Sequence, residues 1–205
     1  MCARPQIDSL TICADCRTRA SRAPRVACAV LPDSDGFDRM VRTFKRGAVR
    51  RLSSELADLT LSRWSAGQLD LPAVDQLDLI TWVPHATSRA AQRGCHAPEL
   101  YARSLGKRLG LPCQPLLRRC IEAPQRGRNI AGRREHARQS FELAQLPAGS
   151  LPGAGCQVLV VDDVRTTGAT LAICCELVQT LDLIPHQLAV VAVPRHTKKR
   201  ASPDI

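Results

Sequence analysis

The stretch VLVVDDVRTTGAT, residues 158–170, constrains the fold more than any other part of this chain. Gln157 to Val161 is a short apolar, β-branched run, the composition of a strand buried on both faces. Two carboxylates, Asp162 and Asp163, follow at once, then the hydroxyls of Thr166 and Thr167, then Gly168. Gly168 to Leu181 is apolar nearly all round, which predicts a helix covered on both sides. Gln187 to Val193 reads as a second buried strand. Strand, helix, strand at this spacing is a βαβ unit, so the expected class is α/β with a parallel sheet flanked by helices. The two acids then stand at the carboxyl end of a parallel strand, the edge where open α/β sheets bind ligands.

These residue types in this order suit a phosphorylated sugar. Gly168 lets the backbone approach a ligand closely. The amides from Thr166 to Thr170 open a helix, where they can cradle a phosphate, and the threonine hydroxyls add donors. Paired carboxylates accept hydrogen bonds from vicinal ribose hydroxyls, or hold Mg²⁺ through water. Receiver domains also carry a strand ending in paired acids, but there the motif opens the domain, whereas here it comes late in 205 residues. A P-loop needs G-x-x-x-x-G-K-[ST], which this chain lacks. An acidic strand end that merely caps a helix is the plain structural alternative, and it leaves the Thr-Thr-Gly-Ala-Thr continuation unused.

Elsewhere the chain alternates helices and strands. Asp35 reads as an N-cap for a helix carrying Phe37, Met40, Val41 and Phe44, ended by Gly47. Val49, Leu52, Leu56 and Leu59 define the apolar face of a second helix. Gln68 to Asp75 is a connection, and Leu77 to Val83 a strand stopped by Pro84. Leu100, Leu105 and Leu109 lie on a helix ended by Gly110. Residues 118–140 are polar and very basic with no period, which reads as a loop or hood. Aromatics are only 3% of the chain, so the expected core is Leu, Val, Ile and Ala.

The formal charge is +10, carried mostly by arginine, and it predicts an anionic partner, either nucleic acid or a phosphorylated metabolite. A high-GC coding sequence would also enrich arginine. The start MCARPQIDSL has no positive region ahead of an apolar stretch, and no run approaches the ~18 apolar residues of a membrane span. The expectation is a soluble cytoplasmic protein.

Ten cysteines are present. Cys95, Cys113, Cys120, Cys156, Cys174 and Cys175 lie in apolar or basic stretches and read mostly as small buried hydrophobes. Cys13 and Cys16 form a C-x-x-C, a spacing that presents two thiolates to Zn²⁺, with Cys2 upstream as a third ligand. Cys28 could be a fourth, but it sits in the strand-like run Val26 to Leu31. A zinc-ribbon-like head and a metal-free remnant of one both remain open. The expected organisation is a Cys-containing segment at 1–25, an α/β domain at 26–194 and a basic tail at 195–205.

Residues 158–170 closely resemble the phosphoribosyl pyrophosphate (PRPP) motif of type I phosphoribosyltransferases. The remaining features, in order, resemble the ComF-like (competence protein F) branch. They are the Cys-rich head, Phe44-Lys45-Arg46-Gly47, Val83-Pro84, Arg93-Gly94, and Gln125, Arg133 and Phe141. The resemblance implies a fold and a set of roles. Asp162 and Asp163 would be the catalytic pair that binds the ribose hydroxyls, and Arg165, Thr166, Thr167, Gly168, Ala169 and Thr170 would bind phosphate. Arg89 and Arg93 would contact pyrophosphate, while Gln125, Arg133 and His136 would belong to a hood that closes over the site. Mg²⁺ would accompany PRPP or a related phosphorylated ribose. Two departures stand out. Cys95-His96-Ala97 replaces an aromatic-Asn-Gln, and His136 replaces an Asn. Each imidazole is either a general acid or base, or a hydrogen-bonded substitute for the amide. The resemblance also implies a part in natural competence, with single-stranded DNA or DNA-uptake machinery as partners, and dimers are common in the superfamily. An enzyme and a non-enzymatic DNA-handling or PRPP-sensing accessory module that retains the fold are both consistent with these residues.

Overall fold

The computed structural model describes residues 27–31, 50–85, 96–120, 139–147, 149–165 and 168–192. Its strands and helices are β1 (Ala27–Leu31), α1 (Arg50–Ser65), β2 (Leu79–Trp82), α2 (Ala97–Leu109), β3 (Leu117–Arg119), β4 (Phe141–Leu143), β5 (Gln157–Arg165), α3 (Ala169–Gln179) and β6 (Ile184–Ala192). The expected helix around Phe37–Phe44 and the tail from 195 lie outside the described residues.

The main sheet has the order β1-β6-β5-β2, and every pairing in it is parallel. Beyond β2 the chain at 112–114 adds a short parallel edge. There the Ile80 N–H donates to Pro112 O, and the Gln114 N–H donates to Ile80 O, both at 3.0 Å.

Alternation along β5 divides the core in two. Leu159 and Val161 point to one face, with Ile80, Trp82, Leu188 and Val190, under Leu56, Trp64, Tyr101 and Leu105 of α1 and α2. Val158 and Val160 point to the other, with Leu79 and Ala189, under Leu171, Cys174, Cys175 and Val178 of α3. Both faces being covered is why the stretches 158–161 of β5 and 188–192 of β6 read as continuous apolar runs.

The core is less purely aliphatic than the composition implied. Tyr101, the chain's one tyrosine, is fully buried, and both tryptophans, Trp64 and Trp82, are buried too. Each polar end is accommodated: Tyr101 Oη lies 2.6 Å from Thr60 Oγ1, and Trp64 Nε1–H donates to Pro72 O at 3.0 Å. The Thr60 pair also explains a shift on α1. Leu59, expected inside, is 37% exposed, because the buried stripe runs from Leu56 through Thr60 to Trp64.

Gly110 ends α2 in the left-handed conformation with φ 70°, as its position implied. Gly106, one turn earlier, is required for packing. A Cβ there would sit 2.3 Å from Cys113 Sγ and 2.9 Å from Leu111 O.

The basic stretch 118–140 is not a loop from end to end. Arg118 and Arg119 belong to β3, which pairs antiparallel with β4 in the register Arg118↔Glu142 and Arg119↔Phe141. Arg118 forms an ion pair with Glu142, and the Arg119 guanidinium lies 5.2 Å from the Phe141 ring centre. Cys120 N–H closes the ribbon onto Ser140 O at 2.9 Å. Cross-strand pairing of this kind overrides the local polarity that suggested a loop.

Candidate functional site

The site forms where β5 outruns β2. The ladder between them ends with Val83 N–H donating to Val161 O at 2.9 Å, and Pro84 has no N–H with which to continue it. β5 goes on to Arg165 alongside β6, through Val164↔Val191 and Arg165↔Ala192. The acids are therefore inside the strand, four residues longer than the apolar run suggested, because pairing with β6 does not depend on apolar side chains. After β2 the chain passes to α2 on one face, and after β5 to α3 on the other. Neighbouring strands whose connections part in this way create a crevice at their carboxyl ends.

Asp162 and Asp163 lie at that crevice, 7% and 3% exposed. Strict alternation would send them to opposite faces. The two remain linked through the backbone: Asp162 Oδ1 accepts the Asp163 N–H at 2.8 Å. His85, just beyond Pro84, completes the cluster. One donor atom from each of His85, Asp162 and Asp163 lies within 4.8 Å of the other two. A buried carboxylate pair with an imidazole beside it is a donor set suited to a divalent cation.

His96 forms the far wall and caps α2. Its Nε2 faces the His85 N–H at 2.7 Å, and its Nδ1 faces the Glu99 N–H at 3.2 Å. A neutral imidazole has one lone pair, so each tautomer accepts one of these two donors, and a doubly protonated ring accepts neither. Burial pushes the ring below its ordinary pKa of 6.5, against the opposing pull of Glu99 and Asp163. His96 thus stands at the N-cap of α2 with both ring nitrogens facing backbone N–H groups.

On the opposite face, Gly168 precedes α3 with φ 75°, in the left-handed region. Ala169 and Thr170 occupy the first turn and are half-buried. Turning from β5 into α3 within a few residues brings the helix N-terminus close to the acidic strand end. Arg165 is the last residue of β5.

Several sequence-based assignments lie outside the described residues: Thr166, Thr167, Arg89, Arg93, Gln125, Arg133, His136, Cys2, Cys13 and Cys16. Cys28 is in β1, opposite Leu188 of β6. Cys174 and Cys175 are buried on α3, where desolvation raises Cys174 well above the ordinary thiol range and Cys175 to about 12. Cys120, expected among the mostly buried thiols, is exposed. Sequence reading missed His85. Its one local signal is its place immediately after Val83-Pro84, where a strand must leave the ladder.

Fold and site together define an α/β protein whose parallel sheet, flanked by helices, presents buried acids at the carboxyl end of a central strand. No protein-family model and no curated protein matches the chain. Among solved structures it is similar to an adenine phosphoribosyltransferase, at 22% identity over 69% of this chain and 70% of the other, with a TM-score of 0.43. It is similar also to the Saccharomyces cerevisiae adenine phosphoribosyltransferase complexed with an imino-altritol bisphosphate and adenine, at 23% identity, 69% of each chain and TM-score 0.41. A Trypanosoma cruzi hypoxanthine phosphoribosyl transferase shares 19% identity over 75% of this chain and 68% of its own, with a TM-score of 0.36.

Proposed function

We propose that this chain binds PRPP and acts as a phosphoribosyltransferase. The observation that carries this reading is the strand end itself: two buried carboxylates on β5, followed within a few residues by a glycine-led helix. In this reading Asp162 and Asp163 accept hydrogen bonds from the ribose hydroxyls and orient the sugar. The amides opening α3, with the Thr170 hydroxyl, hold the 5′-phosphate. Arg89 and Arg93 bind the pyrophosphate. The hood containing Gln125, Arg133 and His136, which lie between β3 and β4 in the sequence, closes over the sugar and excludes water that would hydrolyse PRPP. Bound Mg²⁺, held beside Asp162 and Asp163, would neutralise charge on the departing pyrophosphate as C1 takes on oxocarbenium character.

The finer assignment is to a cytoplasmic ComF-like protein of natural competence. It rests on the ordered motifs from Cys13 to Phe141 together with the net charge of +10. Among the described residues, no helix is long and apolar enough to cross a membrane. Zinc held by Cys2, Cys13 and Cys16 and a homodimer belong to the same assignment.

Calorimetric titration of PRPP with Mg²⁺ tests the primary reading. Saturable binding lost in Asp162→Ala/Asp163→Ala supports it, and no binding by folded wild-type protein overturns it. The arginine-rich charge favours a second reading, a non-enzymatic module that handles DNA. That reading requires single-stranded DNA affinity that falls with salt and with Arg128→Ala, Arg133→Ala and Arg134→Ala.

A further inference from the structure

We propose that the groove between α1 and α2 is a separate anion site, built for a short phosphate-bearing ligand of diphosphate length. The groove encloses about 870 Å³, a ligand-sized space, and is lined by Ser53 and Ser54 of α1 and by Arg103, Ser104, Lys107 and Arg108 of α2. Two of its cations are held rigidly. Arg108 donates from Nε and Nη2 to the Asp58 carboxylate at 2.5 and 2.8 Å, from Nη2 to Ser54 Oγ at 2.5 Å, and from Nη1 to Ser104 O at 3.0 Å, which ties the helices together and frames the groove. Arg103 donates from Nε to Glu99 Oε1 at 2.8 Å, and its guanidinium lies 5.3 Å from the Trp82 ring centre. These contacts fix the side chains without exhausting their donors. Among the described residues, both terminal nitrogens of Arg103 and the Lys107 ammonium have no hydrogen-bond acceptor. Ser54 accepts from Arg108 and keeps its own hydroxyl proton to donate.

Charge and spacing set the ligand class. Arg103 with Glu99 and Arg108 with Asp58 are neutral pairs, so Lys107 supplies the unbalanced positive charge. Arg103 and Lys107 stand one turn apart on α2, about 6 Å along its axis, a span that two linked phosphoryl groups can bridge. Phosphoryl oxygens accept several charge-assisted hydrogen bonds at once, which matches a guanidinium edge, an ammonium and a hydroxyl facing one space. The carboxylates of Glu99 and Asp58, one beside each arginine, flank the row, so a continuous nucleic-acid backbone passing along it would meet like charge, whereas a short anion would not. Lys107 lies about 16 Å along α2 from the His96 cap that walls the crevice. The groove is therefore distinct from the strand-end site and does not depend on phosphoribosyl transfer being the reaction.

The test is titration of pyrophosphate into the isotope-labelled full chain, with a chelator and without Mg²⁺, followed by proton–nitrogen correlation spectra of the backbone amides and the Arg103 Nε–H. The expected result is saturable shifts at Ser54, Arg103, Ser104 and Lys107. Lys107→Glu, at an exposed position, weakens binding about tenfold or more, and Lys107→Arg retains it. Folded wild-type protein with no saturable shift at these residues overturns the proposal. So does a folded Lys107→Glu protein with unchanged affinity; if that variant does not fold, Lys107→Gln decides in its place. An oligodeoxythymidylate that shifts the same resonances at lower phosphate concentration than pyrophosphate also overturns it, and gives the groove to a nucleic-acid backbone. Shifts confined to Gly168–Thr170 would sink this proposal and leave the transferase reading standing; groove shifts in a protein that does not bind PRPP–Mg²⁺ would do the reverse.

Discussion

The backbone N–H of His85 meets Nε2 of His96 at 2.7 Å, tying the chain that leaves β2 to the N-terminus of α2. The contact joins the chain beside Asp162 and Asp163 to the cap of a core helix, and a doubly protonated His96 ring could not accept it. Burial lowers the folded-state pKa of His96, so the unfolded chain takes up a proton more readily. The stabilisation is complete above pH 6.5, the ordinary value, and is lost as pH falls from there through the folded-state value. His96→Asn keeps an N-capping side chain but cannot titrate. Urea midpoints should fall between pH 7.5 and 5 more steeply for wild type than for His96→Asn, and parallel curves would refute the assignment.

Gly106 leaves no room for a side chain against the edge at Leu111–Cys113. Gly106→Ala should destabilise the protein by about 1–3 kcal/mol, outweighing the usual helix gain from alanine. Cys113→Ala should restore only part of the loss, because Leu111 O still obstructs the new methyl group. Denaturant unfolding of the single and double variants measures both effects.

Thr60 and Tyr101 join α1 to α2 through a buried 2.6 Å contact, and Thr60 Oγ1 also donates to Leu56 O. Thr60→Val keeps the shape and removes the hydroxyl. It should cost about 1–2 kcal/mol, and Tyr101→Phe should cost less in the Thr60→Val background than in wild type. A double-mutant cycle with no coupling would show that the two hydroxyls act independently.

Thiol labelling should separate the cysteines by burial. Cys120 is exposed, whereas Cys174 and Cys175 are buried with their thiols held protonated. Iodoacetamide at pH 8 followed by peptide mass spectrometry should find Cys120 modified in native protein, and Cys174 and Cys175 modified only after denaturation.

Much of the fold was legible because burial on both faces leaves an unmistakable run of residues. Val158–Val161 and Leu188–Val190 are apolar, and Leu79–Trp82 nearly so, because a helical layer lies over each face. Gly110 and Pro84 marked their boundaries by backbone chemistry alone. Features that depend on a distant partner were not legible. Thr60 is buried only because Tyr101 meets it, Arg119 is in a strand only because Phe141 pairs with it, and Leu59 is exposed as a result of the first.

By itself, the sequence determined the βαβ unit and placed two acids and a helix start at one strand end, since all of these lie within one continuous stretch, residues 157–192. Only the tertiary structure could bring His85 to Asp162 and Asp163 and turn His96 into the wall behind them. Those contacts join β2 and α2 to a strand more than sixty residues later, through parallel pairing that no local pattern encodes.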